Sequence, residues 1–285
     1  MVTNLIQDFM RWLREDCPFS DLTSEFIVDD NVYVRAVVIS KSHAIAACVE
    51  DIVEILKWLG INVIRHVSSG TALKPGDIVM EIYGKARTIL LVERTILNLL
   101  THLFGVATTT RKIVDVIRRI NPKVRIAATR KIIPGLRYLV KKAVAYGGGD
   151  THRFSLSDAV LIKDNHLKII GDVEKAIRLV KERVSFIHKV EIEVTNVNEA
   201  IKAAKAGADI IMLDNMSVNE VKKVIDKLKE LGLRDKVIIE VSGGITPKNV
   251  TEYARLDVDV ISMSYITMNP ERIDLSLEVT EVRKG

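Results

Sequence analysis

Cysteine is nearly absent from this chain: two residues in 285, Cys17 and Cys48, with no metal-ligand spacing. That excludes a disulfide-framed secreted scaffold and a cysteine zinc site, and it predicts reduced thiols in a cytoplasmic protein. Aromatic residues make up only 5%, and no Lys/Arg run is interleaved with them. A nucleic-acid surface built on stacked bases is therefore not expected. No uninterrupted apolar run reaches spanning length, and the N-terminus is amphipathic and carries acidic residues. Neither a secretory leader nor a membrane segment is expected. Glutamine occurs once, at Gln7, while Ile, Val, Lys and Arg are abundant, a balance typical of thermophiles.

What is present is a large apolar fraction, 48%, with 28% charged residues. Such a composition supports a substantial core and argues against disorder. The length fits two domains or one large barrel. The formal charge of +5 permits a polyanionic partner, but with so few aromatics a small anionic substrate fits better.

The most informative stretch runs from Ile126 to His166. A short apolar run, Val124 to Ala128, stops at Thr129-Arg130-Lys131. Pro134-Gly135 opens a helical pattern that closes at Gly147-Gly148-Gly149, with proline near the start and glycine past the end. His152-Arg153 follows, and a second apolar run, Ala159 to Ile162, stops at Lys163. Two buried-type strands joined by a helix form a βαβ unit and imply a parallel sheet. Ligands in such sheets bind at the C-terminal ends of the strands. Arg130, Lys131, His152, Arg153 and Lys163 would converge there as a cationic pocket for an anion.

Upstream, the spacing predicts a helix over 4–14, a loop to Thr23, alternating strands over 32–39 and 78–82, and a helix over 51–59. The helix predicted over 87–104 is apolar almost all round, except for Arg94, Asn98 and Thr101 on one face. That stripe is either a solvated side or a face turned to another subunit or a site. After Arg125, strand-like runs recur at 124–128, 159–162, 187–194, 210–213, 237–241 and 258–263, each followed by a helical pattern. The region is short of the ~250 residues of an eight-fold barrel, so an incomplete β/α barrel of about six or seven strands is expected. The alternating tail over 273–279 suits a strand with one wet face, returning to the N-terminal sheet. The expected organisation is α/β: an N-terminal α+β sandwich domain over 1–107 joined by the tail strand 272–285, and an open barrel over 108–271.

The barrel strands end in chemistry. Ser242-Gly243-Gly244 is either a phosphate cradle or a tight βα turn, with Thr246 as N-cap and Pro247 at the first position of a following helix. Ser264 on the neighbouring strand favours the cradle. Glu193 and Asp214 end adjacent strands; they are either helix caps or partners of Lys131 and Lys163, or they hold Mg2+ or sugar hydroxyls. One desolvated lysine would suit Schiff-base chemistry, but several crowded cations suit an acid with more than one anionic group.

The motifs ERTILN (93–98), TRK (129–131), PGLR (134–137), GGGDTHRFSLSD (147–158), LIKDNH (161–166), EIEVTN (191–196), IMLDN (211–215) and SGGI (242–245) together resemble the quinolinate phosphoribosyltransferase family. The resemblance spans the chain and implies transfer of phosphoribosyl from phosphoribosyl pyrophosphate to quinolinate with loss of CO2, in NAD biosynthesis, with Mg2+ as cofactor. It assigns Arg94, Thr129, Arg130, Lys131, His152, Arg153 and Lys163 to substrate binding. Lys131 would face the pyrophosphate, and Glu193 and Asp214 would hold ribose hydroxyls and Mg2+. Ser242, Gly243, Gly244 and Ser264 would hold the 5′-phosphate; Lys131, Lys163, Glu193 and Asp214 are the expected catalytic groups. In the family the arginine of ERTILN enters the neighbouring subunit's site, which implies a homodimer with shared sites. No nucleic acid and no membrane is an expected partner.

The chain departs from the family pattern in three places. The usual Asp-Thr-Arg-Lys-Thr reads Ala128 to Ile132, a strand-end Gly is Ser264, and a nearby His-Ser is Met268-Asn269. Alternatives are a family paralogue associated with molybdenum transport, or a phosphoribosyltransferase acting on nicotinate without decarboxylation. A non-catalytic phosphate- or nucleic-acid-binding barrel would instead spread its basic residues over the outer surface.

Overall fold

The computed structural model describes residues 2–284 and divides into two compact units. The first contains everything described up to Arg111, then Pro134–Gly148, then the chain from Pro270 onward. It opens with α1 (Val2–Asp16) and α2 (Leu22–Ile27), then β1 (Val32–Ser40), β2 (Ala44–Ile45), α3 (Val49–Trp58), β3 (Asn62–His66), β4 (Ala72–Leu73) and β5 (Ile78–Lys85). The start of α2 falls where a loop is expected; it is a short helix capped by Asp21, which accepts from Ser24 N at 3.2 Å. β5 leads into α4 (Ala86–Ile120), and α5 (Arg137–Tyr146) joins the same unit. The tail strand β12 (Leu275–Lys284) pairs antiparallel with β1, giving a sheet ordered β12-β1-β5-β3. β1 alternates because one face is covered: Val34, Ala36 and Val38 are buried, as are Ile52, Ile55 and Leu56 of α3 and Phe9 and Leu13 of α1. Each such Val, Ile, Leu or Phe side chain contributes about 1.5–3 kcal/mol by leaving water.

α4 is 35 residues long and, among the described residues, is the single helix apolar and long enough to cross a membrane by length and composition. Its apolar window is 61% buried inside the protein, so it is a core helix. The expected end at Phe104 is passed because Thr108 and Thr110 turn their hydroxyls back to Phe104 O (2.6 Å) and Val106 O (2.7 Å), which satisfies them without leaving the helix. Gly147 ends α5, where a Cβ would lie 2.6 Å from Ala107 O of α4. Only glycine permits that approach.

The second unit comprises Lys112–Ile133 and Gly149–Asn269. Its strands are β6 (Arg125–Ala128), β7 (Val160–Ile162), β8 (Val190–Val194), β9 (Ile210–Asp214), β10 (Ile238–Ser242) and β11 (Val260–Met263). Between them run α6 (Asp164–Ile170), α7 (Val173–Lys181), α8 (Val197–Lys205), α9 (Val218–Glu230) and α10 (Val250–Ala254), with α11 (Tyr265–Met268) after the last strand. All pairings are parallel, in the order β6-β11-β10-β9-β8-β7. β6 and β7, consecutive in the chain, form the two edges, so six strands leave an open barrel. Asp150 continues the β6 edge by one bridge to Ala127. The buried faces are nearly continuous Ile, Val, Leu and Ala, as in β/α sheets covered on both sides. α5 lies with the first unit, so that unit interrupts the stretch expected as a continuous barrel.

Candidate active site

Every strand of the second unit delivers a side chain to one cavity of about 410 Å³ at the C-terminal ends of the strands. Thr129, Arg130 and Lys131 come from the turn after β6. Lys131 is exposed, but its backbone is fixed: its N–H donates to Thr129 Oγ1 at 3.1 Å, and its carbonyl accepts from Thr267 Oγ1 at 2.7 Å. His152 and Arg153 come from the loop after Gly148, which is itself left-handed at φ 86. Lys163 sits just past β7, its N–H donating to His166 Nδ1 at 2.9 Å.

The cation set is in excess and under tension. Arg153 is 8% exposed, and its Nη1 donates to Ala159 O at 3.3 Å. Burial, followed by the charge of Arg130, pushes the Arg153 guanidinium down from its ordinary value. Arg130 Nε is buried without a hydrogen-bond partner among the described residues. Four of the six such orphan side-chain atoms belong to Arg130, Glu191, Glu240 and Ser262, in this cavity or directly beneath it. Buried polar atoms are normally satisfied, so this concentration marks a place for a polar ligand.

Two carboxylates face the cations. Glu193 on β8 pairs with Lys163 Nζ at 2.7 Å, and Asp214 at the end of β9 accepts from Asn215 Nδ2 at 2.8 Å. The expected pairing with Lys163 is therefore present at Glu193. Ser242, Gly243 and Gly244 complete the rim. Gly243 has φ 87, and a Cβ there would lie 2.7 Å from Asn215 N, so the turn depends on glycine.

Two expectations differ from the structure. Thr246 does not cap a helix: it lies in a turn closed by Asn249 Oδ1, which accepts from Thr246 N at 2.8 Å, and α10 begins only at Val250. Ser264 does not line the cavity; Ser262, one step deeper on the same side of β11, does. Arg94, expected in the neighbouring subunit's site, is exposed on α4 in the first unit, and this cavity is lined by second-unit residues alone.

Glu191 and Glu240 carry no expected role from the sequence. His152 Nε2 lies 3.0 Å from Glu240 Oε2 and 3.3 Å from Glu191 Oε2. Burial lowers the imidazole's proton affinity, but the hydrogen bonds to the two glutamates outweigh it and raise the pKa to about 10. Glu191 is itself pushed up, first by burial and also by the charge of Glu240. Their signal was available: each lies two residues before a rim position, Glu193 or Ser242, and so on the same face of its strand.

Comparisons with known proteins agree along the chain. Residues 21–104 match the profile of the quinolinate phosphoribosyl transferase N-terminal domain, and residues 106–278 match that of its C-terminal domain. A "probable nicotinate-nucleotide pyrophosphorylase (carboxylating)" of Methanothermobacter thermautotrophicus is 45% identical over 94% of this chain and 96% of its own length. The human nicotinate-nucleotide pyrophosphorylase (carboxylating) is 35% identical over 94% of this chain and 89% of its own. The solved structure of the nicotinate-nucleotide pyrophosphorylase from Francisella tularensis superposes with TM-score 0.89 at 35% identity, covering 98% of this chain and 97% of that one.

Proposed function

The chain belongs to the quinolinate phosphoribosyltransferase family, and from that premise we propose that it transfers phosphoribosyl from phosphoribosyl pyrophosphate to quinolinate, yielding nicotinate mononucleotide, pyrophosphate and CO2. The observation that carries this reading is the pair of guanidiniums, Arg130 and Arg153, lining one cavity, their like charges acting on each other and neither in a salt bridge among the described residues. Such a pair favours a ligand with adjacent anionic groups, each charge-assisted contact contributing about 1.5–3 kcal/mol. Quinolinate, with two neighbouring carboxylates, meets that requirement, and a monocarboxylate leaves one cation unmatched.

In this reading Arg130, His152, Arg153 and Lys163 bind the diacid, with Thr129 fixing the turn beneath Lys131. Lys131 faces the pyrophosphate, and Ser242, Gly243 and Gly244 hold the 5′-phosphate through backbone N–H groups. The pyridine nitrogen donates its lone pair to C1′ as the bond to pyrophosphate breaks, and the electron pair leaves with pyrophosphate. Glu193 and Asp214 stabilise the positive charge that develops at C1′. The resulting pyridinium draws electrons from C2 as the C2–carboxylate bond breaks, CO2 departs, and C2 takes a proton. Keeping water out favours that step.

Glu193 and Asp214 also fit Mg2+: two hard carboxylate oxygens with room for substrate oxygens are what that ion prefers. When bound, Mg2+ supplies charge neutralisation to the diphosphate. The reading places the enzyme in the cytoplasm, in keeping with free Cys17 and Cys48. It extends to a homodimer in which Arg94 completes the partner's site, because Arg94 and Asn98 are the exposed groups on a stretch of α4 whose Ile96, Leu97, Leu99 and Leu100 are buried.

The test is product stoichiometry. Incubation with quinolinate, phosphoribosyl pyrophosphate and Mg2+ should release CO2 and pyrophosphate one for one. Turnover of nicotinate in place of quinolinate, without CO2, would replace this reading by the non-decarboxylating one. For the shared site, co-expressed Arg94→Ala and Lys163→Ala subunits should regain activity that neither has alone. Inactive heterodimers would put Arg94 outside the site.

A further inference from the structure

Two buried carboxylates lie under the anion cavity, and the reaction as described uses neither. Glu191 and Glu240 are each 1% exposed, and Oε1 of each has no hydrogen-bond partner among the described residues. Their Oε2 atoms meet at His152 Nε2, 3.3 and 3.0 Å away. Two buried charges of one sign are costly unless a cation is held between them. The backbone holds the ring there: His152 is left-handed at φ 51, uncommon outside glycine, and its N–H donates to Asp150 Oδ1 at 2.7 Å.

The same ring borders the cavity, and with Nε2 turned to the glutamates its Nδ1 shows no hydrogen bond among the described residues. With Nε2 donating to the glutamates, a neutral imidazole would present Nδ1 as an acceptor, and a ligand carboxylate would meet a lone pair. Only the doubly protonated ring presents a donor on that side. Resting on the reading that the cavity takes a dicarboxylate, we infer that Glu191 and Glu240 are positioning residues that hold His152 as an imidazolium and so ready its Nδ1–H for a substrate carboxylate.

The other charges around the ring do not supply this. Arg130 and Arg153 on the cavity side are cations and oppose a third positive charge. Glu193 is engaged by Lys163 and Asp214 by Asn215, and Lys131 is a further cation on that rim. Below, His152 also borders a cavity of about 640 Å³ carrying Lys123, Arg125 and Lys189 against Asp158 and Asp259. Asp150 accepts from the His152 backbone and from Arg125 Nη1 at 3.3 Å, so its carboxylate is already matched. Among the described residues, the two glutamates alone form ion pairs with the imidazole. They prevail over its burial and raise its pKa to about 10.

The experiment is an NMR titration of the full chain with labelled histidine, the His152 imidazole being assigned by its loss in His152→Gln. The parent ring should stay protonated beyond about pH 8.5, well above the ordinary value. In Glu240→Gln its midpoint should fall by at least about one unit, and the KM for quinolinate should then rise about tenfold between pH 6.5 and 8.5, with kcat less affected. The parent KM should stay nearly flat over that range. A parent midpoint near about 6.5 overturns the inference without any variant, so a folding defect in Glu240→Gln cannot hide it. An unchanged midpoint in a folded Glu240→Gln also overturns it. So does stoichiometric Zn2+ displacing the His152 proton at neutral pH, since the three side chains would then be a metal site. The titration uses no quinolinate: a high midpoint in a protein that does not bind quinolinate sinks the substrate reading alone, and a low midpoint sinks the triad whatever the enzyme turns over.

Discussion

Each unit of this protein gathers charged side chains on its sheet, and the two gatherings are built oppositely. On the first sheet, Glu81 of β5 receives Arg35 Nη1 at 2.8 Å and Arg65 Nε at 2.6 Å, so both oxygens are filled. The Arg65 hydrogen bond, followed against burial by that of Arg35, draws the Glu81 carboxyl below its ordinary value. At the strand ends of the second unit the cations outnumber their partners, Arg130 Nε is orphaned, and Arg153 is driven down by burial and by a like charge. Matched charge serves architecture. Unmatched, half-buried charge of one sign is held in readiness for something that arrives later.

That contrast can be broken by mutation. The largest effect is expected at Asp214→Asn: kcat should fall about 100-fold or more while the KM for quinolinate stays within a few-fold, because the carboxylate acts on the ribosyl transition state. Equal losses in both would move Asp214 to the acid-binding end. Next comes Lys163→Ala, expected to weaken quinolinate binding by about 10- to 100-fold, with little change in the urea midpoint because its side chain is 44% exposed. Arg153→Ala should lose binding and also stability, since this arginine is buried and bonded to Ala159 O. Gly243→Ala combines a left-handed backbone with a clash against Asn215, and should raise the KM for phosphoribosyl pyrophosphate about tenfold. Smallest of all, Arg65→Ala in the first sheet should leave kcat and KM within about twofold, because exposed ion pairs contribute little. A kinetic effect as large as that of Lys163→Ala would erase the distinction.

Opposite pH responses sharpen the same contrast. Glu81 is depressed in the folded state, so its contribution to stability is present above the ordinary carboxyl range and is lost as pH falls through the folded value. His152 is raised, so its contribution is full below the ordinary imidazole value and is lost as pH rises through about 10. Urea midpoints measured from pH 3 to 10.5 should show the acid loss diminished in Glu81→Gln and the alkaline loss diminished in His152→Gln. A profile unchanged by both substitutions would contradict this.

Much of this was legible in the chain. The second unit's strands announce themselves because both faces are covered, so Ile210–Leu213 is an unbroken apolar run closed by Asp214, and Val237–Val241 is apolar but for Glu240. The pocket cations were readable because βα order fixes which residues follow a strand. Less visible was the length of α4: the expected helix ends at Phe104, and Thr108 and Thr110 continue it by bonding back along the helix. Thr246-Pro247 carries a helix-start signal that Asn249 overrides by closing the turn first. No local pattern records the role of Glu191 and Glu240, because their partner His152 lies far from both in the chain. The strand order, with β6 beside β11, is likewise a long-range outcome.

The central claim is that the excess cation of the strand-end cavity is matched to a ligand with two adjacent carboxylates. Isothermal titration of the full chain with quinolinate and, in parallel, with nicotinate tests it most directly, since the two acids differ by one carboxylate. Quinolinate should bind at least about tenfold more tightly, and the difference should collapse in Lys163→Ala. Equal affinities for the two acids in the parent protein would contradict the account.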